Sequence, residues 1–374
     1  MTPKRVMVLG GWAPSLIKFR GPLLAAMVAR GHQVFAMAAQ ADPATVEELR
    51  RLGVSFTELP LERTSADPLQ DARLFAELVR RFRATRPDTV LAYTVKPVVY
   101  GCLAARAAGV PHRAAMLTGL GYAFAEPTSW KHRAVGQVAR GLLKASLAGC
   151  QTVLLQNPDD RDELLRRGLL ARRSQVVVTR GSGVDLTHYA RAPLPDGPPR
   201  FLFVGRLLAE KGIREYVELA RQLRVTHPQA RFGVVGWIDE NPGSVRASEL
   251  AQWIEEGVIE YAGALTDVRP ALARAHVLVL PSYREGTPRS VLEAMSMGRA
   301  VITTDAPGCR ETVVHDESGL VVPVRDAAAL VAAGRRLLDT PGLLPRLAEA
   351  GRQRARALYD AAAVAAHVLD SLQL

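Results

Sequence analysis

His276-Val277-Leu278-Val279-Leu280-Pro281-Ser282-Tyr283-Arg284-Glu285-Gly286-Thr287-Pro288-Arg289-Ser290-Val291-Leu292-Glu293-Ala294-Met295-Ser296-Met297-Gly298 is the stretch that decides the fold. Its first part is short, continuously apolar and closed by Pro281, so it reads as a buried strand. Residues 290–297 read as a helix that stops at Gly298. A strand therefore feeds a polar loop, and the loop feeds a helix N-terminus. In an open α/β sheet ligands bind at that end of the strands, and the amides of a helix N-terminus favour anions. Glu285 lies in the loop and Glu293 about one turn into the helix. Two carboxylates so placed can grip two hydroxyl-bearing parts of one ligand with a phosphate between them. A nucleotide sugar has that shape.

The same alternation extends outward. In the first half, strands are expected at 6–9, 33–38, 89–93, 114–117, 152–156 and 176–179, with helices at 21–30, 67–85 and 159–167. Gly31, Gly168 and Arg86-Pro87 punctuate the helix ends. Such alternation implies a parallel, doubly wound sheet. Ala192-Pro193-Leu194-Pro195-Asp196-Gly197-Pro198-Pro199 then reads as a stiff, non-helical linker. After it the pattern restarts. Strands are expected at 200–204, 232–235, 258–261, 277–280, 301–304 and 319–322. Helices are expected at 213–223, just before 275, and at 290–297, 327–338 and 344–358 continuing to 372. The fold class is α/β, with two Rossmann-like domains facing a central cleft. Residues 1–191 form the first, 192–199 the linker and 200–345 the second. The helices of 346–374 are expected to pack back on the first.

Bulk properties agree with two domains. The chain has 374 residues, 48% of them hydrophobic, more than one ordinary core needs. Cys102, Cys150 and Cys309 show no metal spacing, and an odd, sparse count suits a reducing compartment. The apolar run at the N-terminus is too short for a signal-peptide core, and no segment reaches the ~18 apolar residues of a membrane span. A cytoplasmic chain is expected. The net charge is +11, and its placement is informative. Residues 1–190 hold 26 Lys and Arg against 15 Asp and Glu; residues 191–374 hold 22 of each. The basic half is expected to meet an anionic partner. Nucleic acid is disfavoured, since no zinc-finger spacing or aromatic RNA-binding strand is present.

Further motifs surround the opening stretch. Gly205-Arg206-Leu207-Leu208-Ala209-Glu210-Lys211-Gly212 follows a strand and precedes a helix. Arg206 and Lys211 there suit a diphosphate, the first by its planar fork, the second as a point charge. Gly10 and Gly11 follow the first strand, where small residues let a ligand approach the backbone. They do not complete a dinucleotide Gly-x-Gly-x-x-Gly. Asp160-Arg161-Asp162 matches a metal-binding Asp-x-Asp only formally, because acids at a helix start complement its dipole. Residues 130–144 contain no acid, and Val135, Val138, Leu142 and Leu143 recur at helical spacing. That suits a basic amphipathic helix on an anionic membrane. The histidines show no metal spacing.

The order Gly205-Arg206, Glu210-Lys211-Gly212, Glu285, Glu293-Ala294-Met295, Gly298, Gly308, Glu311 and Gly319 resembles glycosyltransferase family 4, retaining transferases of the GT-B fold. Within that family the chain looks most like bacterial transferases that extend sugars on undecaprenyl diphosphate, such as the type adding α-1,3-linked N-acetylgalactosamine to lipid-linked bacillosamine. Thr94-Val95-Lys96-Pro97, Thr118-Gly119-Leu120-Gly121-Tyr122 and Thr303-Thr304-Asp305-Ala306-Pro307-Gly308 carry that likeness.

The resemblance implies roles. Residues 1–191 would bind the acceptor and 200–345 the donor. Glu293 would take the ribose hydroxyls and Glu285 those of the donor sugar. Arg206 and Lys211 would hold the diphosphate, helped by amides near Ser290 and Val291, and Gly286 and Thr287 would also bind the nucleotide sugar. Leu265 would lie near the base, and Gly10 and Gly11 would border donor and acceptor. Thr118, Gly119, Lys131, Arg133, Arg140 and Lys144 would serve the acceptor and the membrane. Many family members carry a His where this chain has Thr118-Gly119. The implied donor is a UDP-sugar and the implied acceptor a polyprenyl-diphosphate-linked sugar, without a metal cofactor. The expected location is the inner face of the cell membrane, peripherally bound. A nucleotide-sugar epimerase of the same fold and a membrane-bound scaffold with a degenerate site are the other readings.

Overall fold

The structure is a computed structural model that describes residues 2–61, 67–120, 124, 130–239, 241 and 243–374, without the side chains of residues 130–132 and 134. The chain divides into two compact units, Met1–Ser182 with Ala361–Leu374, and Gly183–Asp360.

In the first unit, β1 (Arg5–Leu9), β2 (Gln33–Ala38), β3 (Ser55–Glu58), β4 (Thr89–Tyr93), β5 (His112–Leu117), β6 (Thr152–Leu155) and β7 (Gln175–Val178) form a parallel sheet in the order 3-2-1-4-5-6-7. The helices are α1 (Pro14–Ala29), α2 (Pro43–Arg51), α3 (Pro68–Thr85), α4 (Val95–Ala107), α5 (Trp130–Leu147) and α6 (Pro158–Arg166). Each face of the sheet carries its own apolar core. Strands buried on both faces need near-continuous apolar runs, and β4 and β6 supply them.

In the second unit, β8 (Arg200–Val204), β9 (Arg231–Val235), β10 (Glu260–Tyr261), β11 (Val277–Leu280), β12 (Ala300–Thr304) and β13 (Leu320–Val322) form a parallel sheet in the order 10-9-8-11-12-13. Around it lie α7 (Ile213–Thr226), α8 (Ala247–Glu255), α9 (Arg269–Ala273), α10 (Arg289–Ser296), α11 (Ala327–Asp339) and α12 (Leu343–Leu358). The last helix, α13 (Ala361–Ser371), returns to the first unit and packs on α1. Strand order reverses once in each sheet, between β1 and β4 and between β8 and β11. Such a switch point opens a crevice at the carboxyl ends of the strands.

The boundary falls at Ser182 and Gly183, ahead of the proline-rich run at 192–199. Arg299, fully buried, explains the difference. Its guanidinium donates to the carbonyls of Ala192 and Pro193, and to that of Ala275 at 2.9 Å. Ser296 Oγ donates to the Tyr189 carbonyl at 2.7 Å, and His276 Nε2 meets the Pro195 carbonyl at 2.9 Å. These bonds tie 189–195 into the second unit. Helix α12 also belongs there, against α10 and β12, so only α13 of the two C-terminal helices joins the first unit.

Asp160 lies in the first turn of α6, bonded to the capping residue Asn157. Its backbone amide donates to Asn157 Oδ1 at 2.8 Å, and its carboxylate is fully buried against Asn157 Nδ2 at 3.2 Å. Asp162 instead pairs with Arg161 at 2.8 Å on the surface. The two acids of the formal Asp-x-Asp thus serve α6 and its surface. All three cysteines are buried and none is in a disulfide.

Candidate active site

Both loops singled out in the sequence leave the sheet at the second switch point. Strand β8 ends at Val204 and passes through Gly205 to Arg206; its neighbour β11 ends at Leu280 and feeds residues 281–288. Ala209–Lys211 makes one 3-10 turn that Gly212 closes at φ 72° before α7 begins. A side chain on Gly212 would place its Cβ 2.1 Å from the Pro281 carbonyl oxygen. Only glycine lets the two loops lie this close. Tyr283 N donates to the Glu210 carbonyl at 2.8 Å and binds them together.

That closeness brings Lys211 and Glu285 into contact, Nζ to Oε1 at 2.5 Å, with side chains only 15% and 13% exposed. A third loop supports them. Glu285 N donates to the Pro307 carbonyl at 2.9 Å, and a Cβ on Gly308 would come within 2.3 Å of the Glu285 carbonyl oxygen. Gly308 is therefore needed at φ 80° for packing as well as for the turn.

Helix α10 starts at Arg289 behind Pro288, which has no side chain to cap the first turn. The first-turn amides, those of Ser290 and Val291 among them, are suited to an external anion. The helix ends as the sequence predicts: Gly298 takes φ 75°, and Arg299 N donates to the Ala294 carbonyl at 2.9 Å. Glu293 is 7% exposed, and Arg289 reaches it, Nη2 to Oε1 at 2.9 Å. The Tyr189 hydroxyl also acts on it from nearby. Burial pushes the Glu293 carboxyl above its usual range, while Arg289 and Tyr189 pull it back.

Arg206 points elsewhere. Its Nη1 lies 3.2 Å from Asp239 Oδ2, with the arginine side chain 38% exposed. Lys211 and Arg206 thus hold separate carboxylates in this structure, Glu285 and Asp239. Leu265 is exposed in the loop after β10. Gly236 N donates to the Gly263 carbonyl at 2.9 Å, which joins that loop to the one after β9, where Trp237 and Ile238 are exposed too. Sequence reading missed Trp237, Asp239, Tyr189 and the partnership of Arg289. Only the last had a signal, the four-residue spacing of Arg289 and Glu293 on one helix.

The residues assigned to the first unit are placed as follows. Gly10 is buried behind β1, and a Cβ there would meet the Tyr93 hydroxyl at 2.3 Å. The missing side chain makes room for Tyr93, whose hydroxyl bonds Ser15 Oγ at 2.7 Å, so packing accounts for Gly10. Gly11 is buried beside it. Thr118 and Gly119 follow β5 and are half-buried, Gly119 at φ 138°. Gly121, Tyr122 and the Lys131 side chain lie outside the described residues. Arg133 and Lys144 are exposed on α5, and Arg140 is half-buried. The His32 and His276 rings take structural bonds, Lys4 N to His32 Nδ1 at 3.2 Å and Arg200 N to His276 Nδ1 at 3.1 Å. Among the described residues no cluster of three or more His, Cys, Asp and Glu is arranged to hold a metal ion, and no helix is long and apolar enough to cross a membrane.

Comparison with known proteins settles the class. A family profile described as "Glycosyl transferases group 1" matches residues 198–340, and one described as "Glycosyl transferase 4-like domain" matches 20–181. The chain belongs to the family 4 glycosyltransferases. It is 28% identical over 364 residues to the N,N'-diacetylbacillosaminyl-diphospho-undecaprenol alpha-1,3-N-acetylgalactosaminyltransferase of Campylobacter jejuni, covering 94% of each chain. It is 27% identical to the alpha-D-kanosaminyltransferase of Streptomyces kanamyceticus, over 71% of this chain and 70% of that one. Among solved structures it superposes on sucrose-phosphate synthase from Thermosynechococcus elongatus with a TM-score of 0.80 at 22% identity, covering 99% and 98%. Anabaena HepE in complex with UDP and glucose gives 0.79 at 18%, covering 99% of each. These neighbours share the GT-B fold of this transferase.

Proposed function

We propose that this glycosyltransferase moves an N-acetylhexosamine, N-acetylgalactosamine first among them, or a related hexose, from a UDP-sugar to a polyprenyl-diphosphate-linked sugar, with retention. The observation that carries the donor half is the Lys211–Glu285 contact at the β8/β11 switch point beside the start of α10. A cation and a carboxylate held together there suit a diphosphate joined to a hydroxylated sugar. The name of the Campylobacter relative supports the acceptor half, since it describes a lipid-linked bacillosamine. In this reading Glu293 takes the ribose hydroxyls and Glu285 those of the donor sugar. Lys211, Arg206 and the α10 amides at Ser290 and Val291 hold the diphosphate. Gly286 and Thr287 line the turn between them, and Leu265 borders the base.

The acceptor hydroxyl attacks the anomeric carbon on the face from which the diphosphate departs. The new C–O bond forms as the old one breaks, and the departing phosphate oxygen takes the hydroxyl proton. The protein contributes position and charge. A panel of UDP-sugars against lipid-linked acceptors, with linkage read by NMR, tests this. An α-linked product from one UDP-sugar is expected; transfer only from a non-uridine donor, or to free sugars alone, overturns it. Because two side-chain cations serve the diphosphate, full turnover is expected in EDTA. A strict Mg²⁺ or Mn²⁺ requirement would contradict that assignment.

The acceptor's lipid stays in a bilayer, and α5 suits one. Val135, Val138 and Leu142 are 50%, 64% and 37% exposed, while Leu143 and Leu147 are buried. The apolar stripe at 135, 138 and 142 therefore faces outward, beside Arg133 and Lys144. This supports peripheral binding to the anionic inner face of the membrane. Each cation contributes about 1 kcal/mol near such a surface. Changing Lys131, Arg133, Arg140 and Lys144 together to Gln is expected to release the protein from anionic liposomes and slow transfer to lipid-linked acceptor, with UDP affinity unchanged. Wild-type binding should weaken with salt. Unaltered liposome binding by the fourfold variant would assign the surface elsewhere.

A further inference from the structure

Glu293 presents a conflict between place and task. A carboxylate that accepts two hydroxyls must be ionised, because a protonated one spends an oxygen as a donor. Yet Glu293 is nearly buried, and burial favours its neutral form. Two groups face it. Tyr189 comes from the segment before β8; burial and the Glu293 charge keep its proton on, so it donates throughout the physiological range. Arg289 comes from the same helix, one turn back, with Nη2 2.9 Å from Oε1 and its side chain 25% exposed. Behind Tyr189 stand Asp267 and Arg269, paired with each other at 2.8 Å, so they add no net charge. Tyr189 supplies a neutral hydroxyl. Arg289 supplies the cation.

We propose that Arg289 is a positioning residue: its guanidinium holds the Glu293 carboxylate, charged and oriented, for the paired hydroxyls of the nucleotide ribose. The proposal rests on the assignment of Glu293 to the ribose. The first turn of α10 fixes the geometry, since residues four apart on a helix meet side by side. A fixed cation at that position lets an almost dry carboxylate stay ionised at neutral pH. Nucleotide affinity in the wild type should then be nearly flat around neutral pH.

The sign of the effect follows. Nucleotide binds the charged form, so affinity is present above the carboxyl's midpoint and lost as pH falls through it. In Arg289→Met the midpoint rises, because burial is then opposed by Tyr189 alone. UDP affinity should fall about tenfold for each pH unit below the new midpoint. Arg289→Lys restores a cation and should return most of the flat profile; it also keeps the test open if the Met variant fails to fold. The measurement is UDP calorimetry from about pH 5 to 8, with the Glu293 carboxyl followed by carbon-13 NMR and assigned by its loss in Glu293→Gln. A raised Glu293 midpoint and a pH-dependent UDP affinity in Arg289→Met, both corrected in Arg289→Lys, support the proposal. If Glu293→Gln weakens UDP while Arg289→Met keeps the wild-type profile, the positioning role is overturned and the ribose assignment stands. If Glu293→Gln leaves UDP affinity unchanged, the ribose assignment falls and the role of Arg289 falls with it.

Discussion

Arg206→Ala and Lys211→Ala are each expected to lower turnover by roughly a hundred- to a thousandfold. Each removes a charged partner of the leaving diphosphate, and one such stabiliser is typically worth about 2.7–4 kcal/mol in the transition state. The two variants should differ in stability. Arg206 is 38% exposed, and its pair with Asp239 resembles a surface ion pair, worth about 0–1 kcal/mol. Lys211 is 15% exposed and neutralises Glu285, itself 13% exposed. Losing one member of a buried pair costs up to about 3–5 kcal/mol. Lys211→Ala should therefore also melt at a lower temperature, and turnover is to be measured well below that melt. Near-normal turnover by both folded variants on the true substrates would remove the diphosphate clamp from this loop.

The elements bearing the site were readable in the sequence because each is punctuated. Pro281 closes β11, Gly298 closes α10, and Gly212 separates a turn from α7. Punctuation alone did not suffice elsewhere: Gly109 follows α4, and Gly53 and Pro60 flank β3, yet both elements were missed. Helix α4 is buried on most of its surface, carries Pro97 inside and lacks a capping side chain, so its apolar residues show no helical period. Strand β3, Ser55–Glu58, is a short edge strand with polar residues on both faces. The domain boundary was misplaced for a different reason. The composition of 192–199 marks stiffness, but the buried Arg299, more than a hundred residues on, decides which unit holds it. The pairing of Lys211 with Glu285 spans 74 residues and needs the strand order 8-11 to bring the loops together. Spacing along a chain reveals neighbours on one helix, such as Arg289 and Glu293, and is silent about neighbours made by sheet topology.

The two carboxylates of the opening stretch should separate by ligand. Glu293→Gln is expected to weaken UDP itself, since hydrogen bonds to a charged acceptor are worth about 1.5–3 kcal/mol, or roughly ten- to 150-fold in Kd. Glu285→Gln should act differently. It removes the counter-ion of Lys211, leaving that cation wholly available to the diphosphate, so UDP affinity should be kept or rise. It should weaken the intact UDP-sugar, because the donor-sugar hydroxyls lose their charged acceptor. Calorimetry of each variant with UDP and with UDP-sugar reads both effects in one experiment. The contrast arises because each carboxylate already has its own cation, Arg289 on the helix and Lys211 on the neighbouring loop. Equal losses on both ligands in both variants would mean that the pair acts as one charged wall, and the division between ribose and sugar would have to be abandoned.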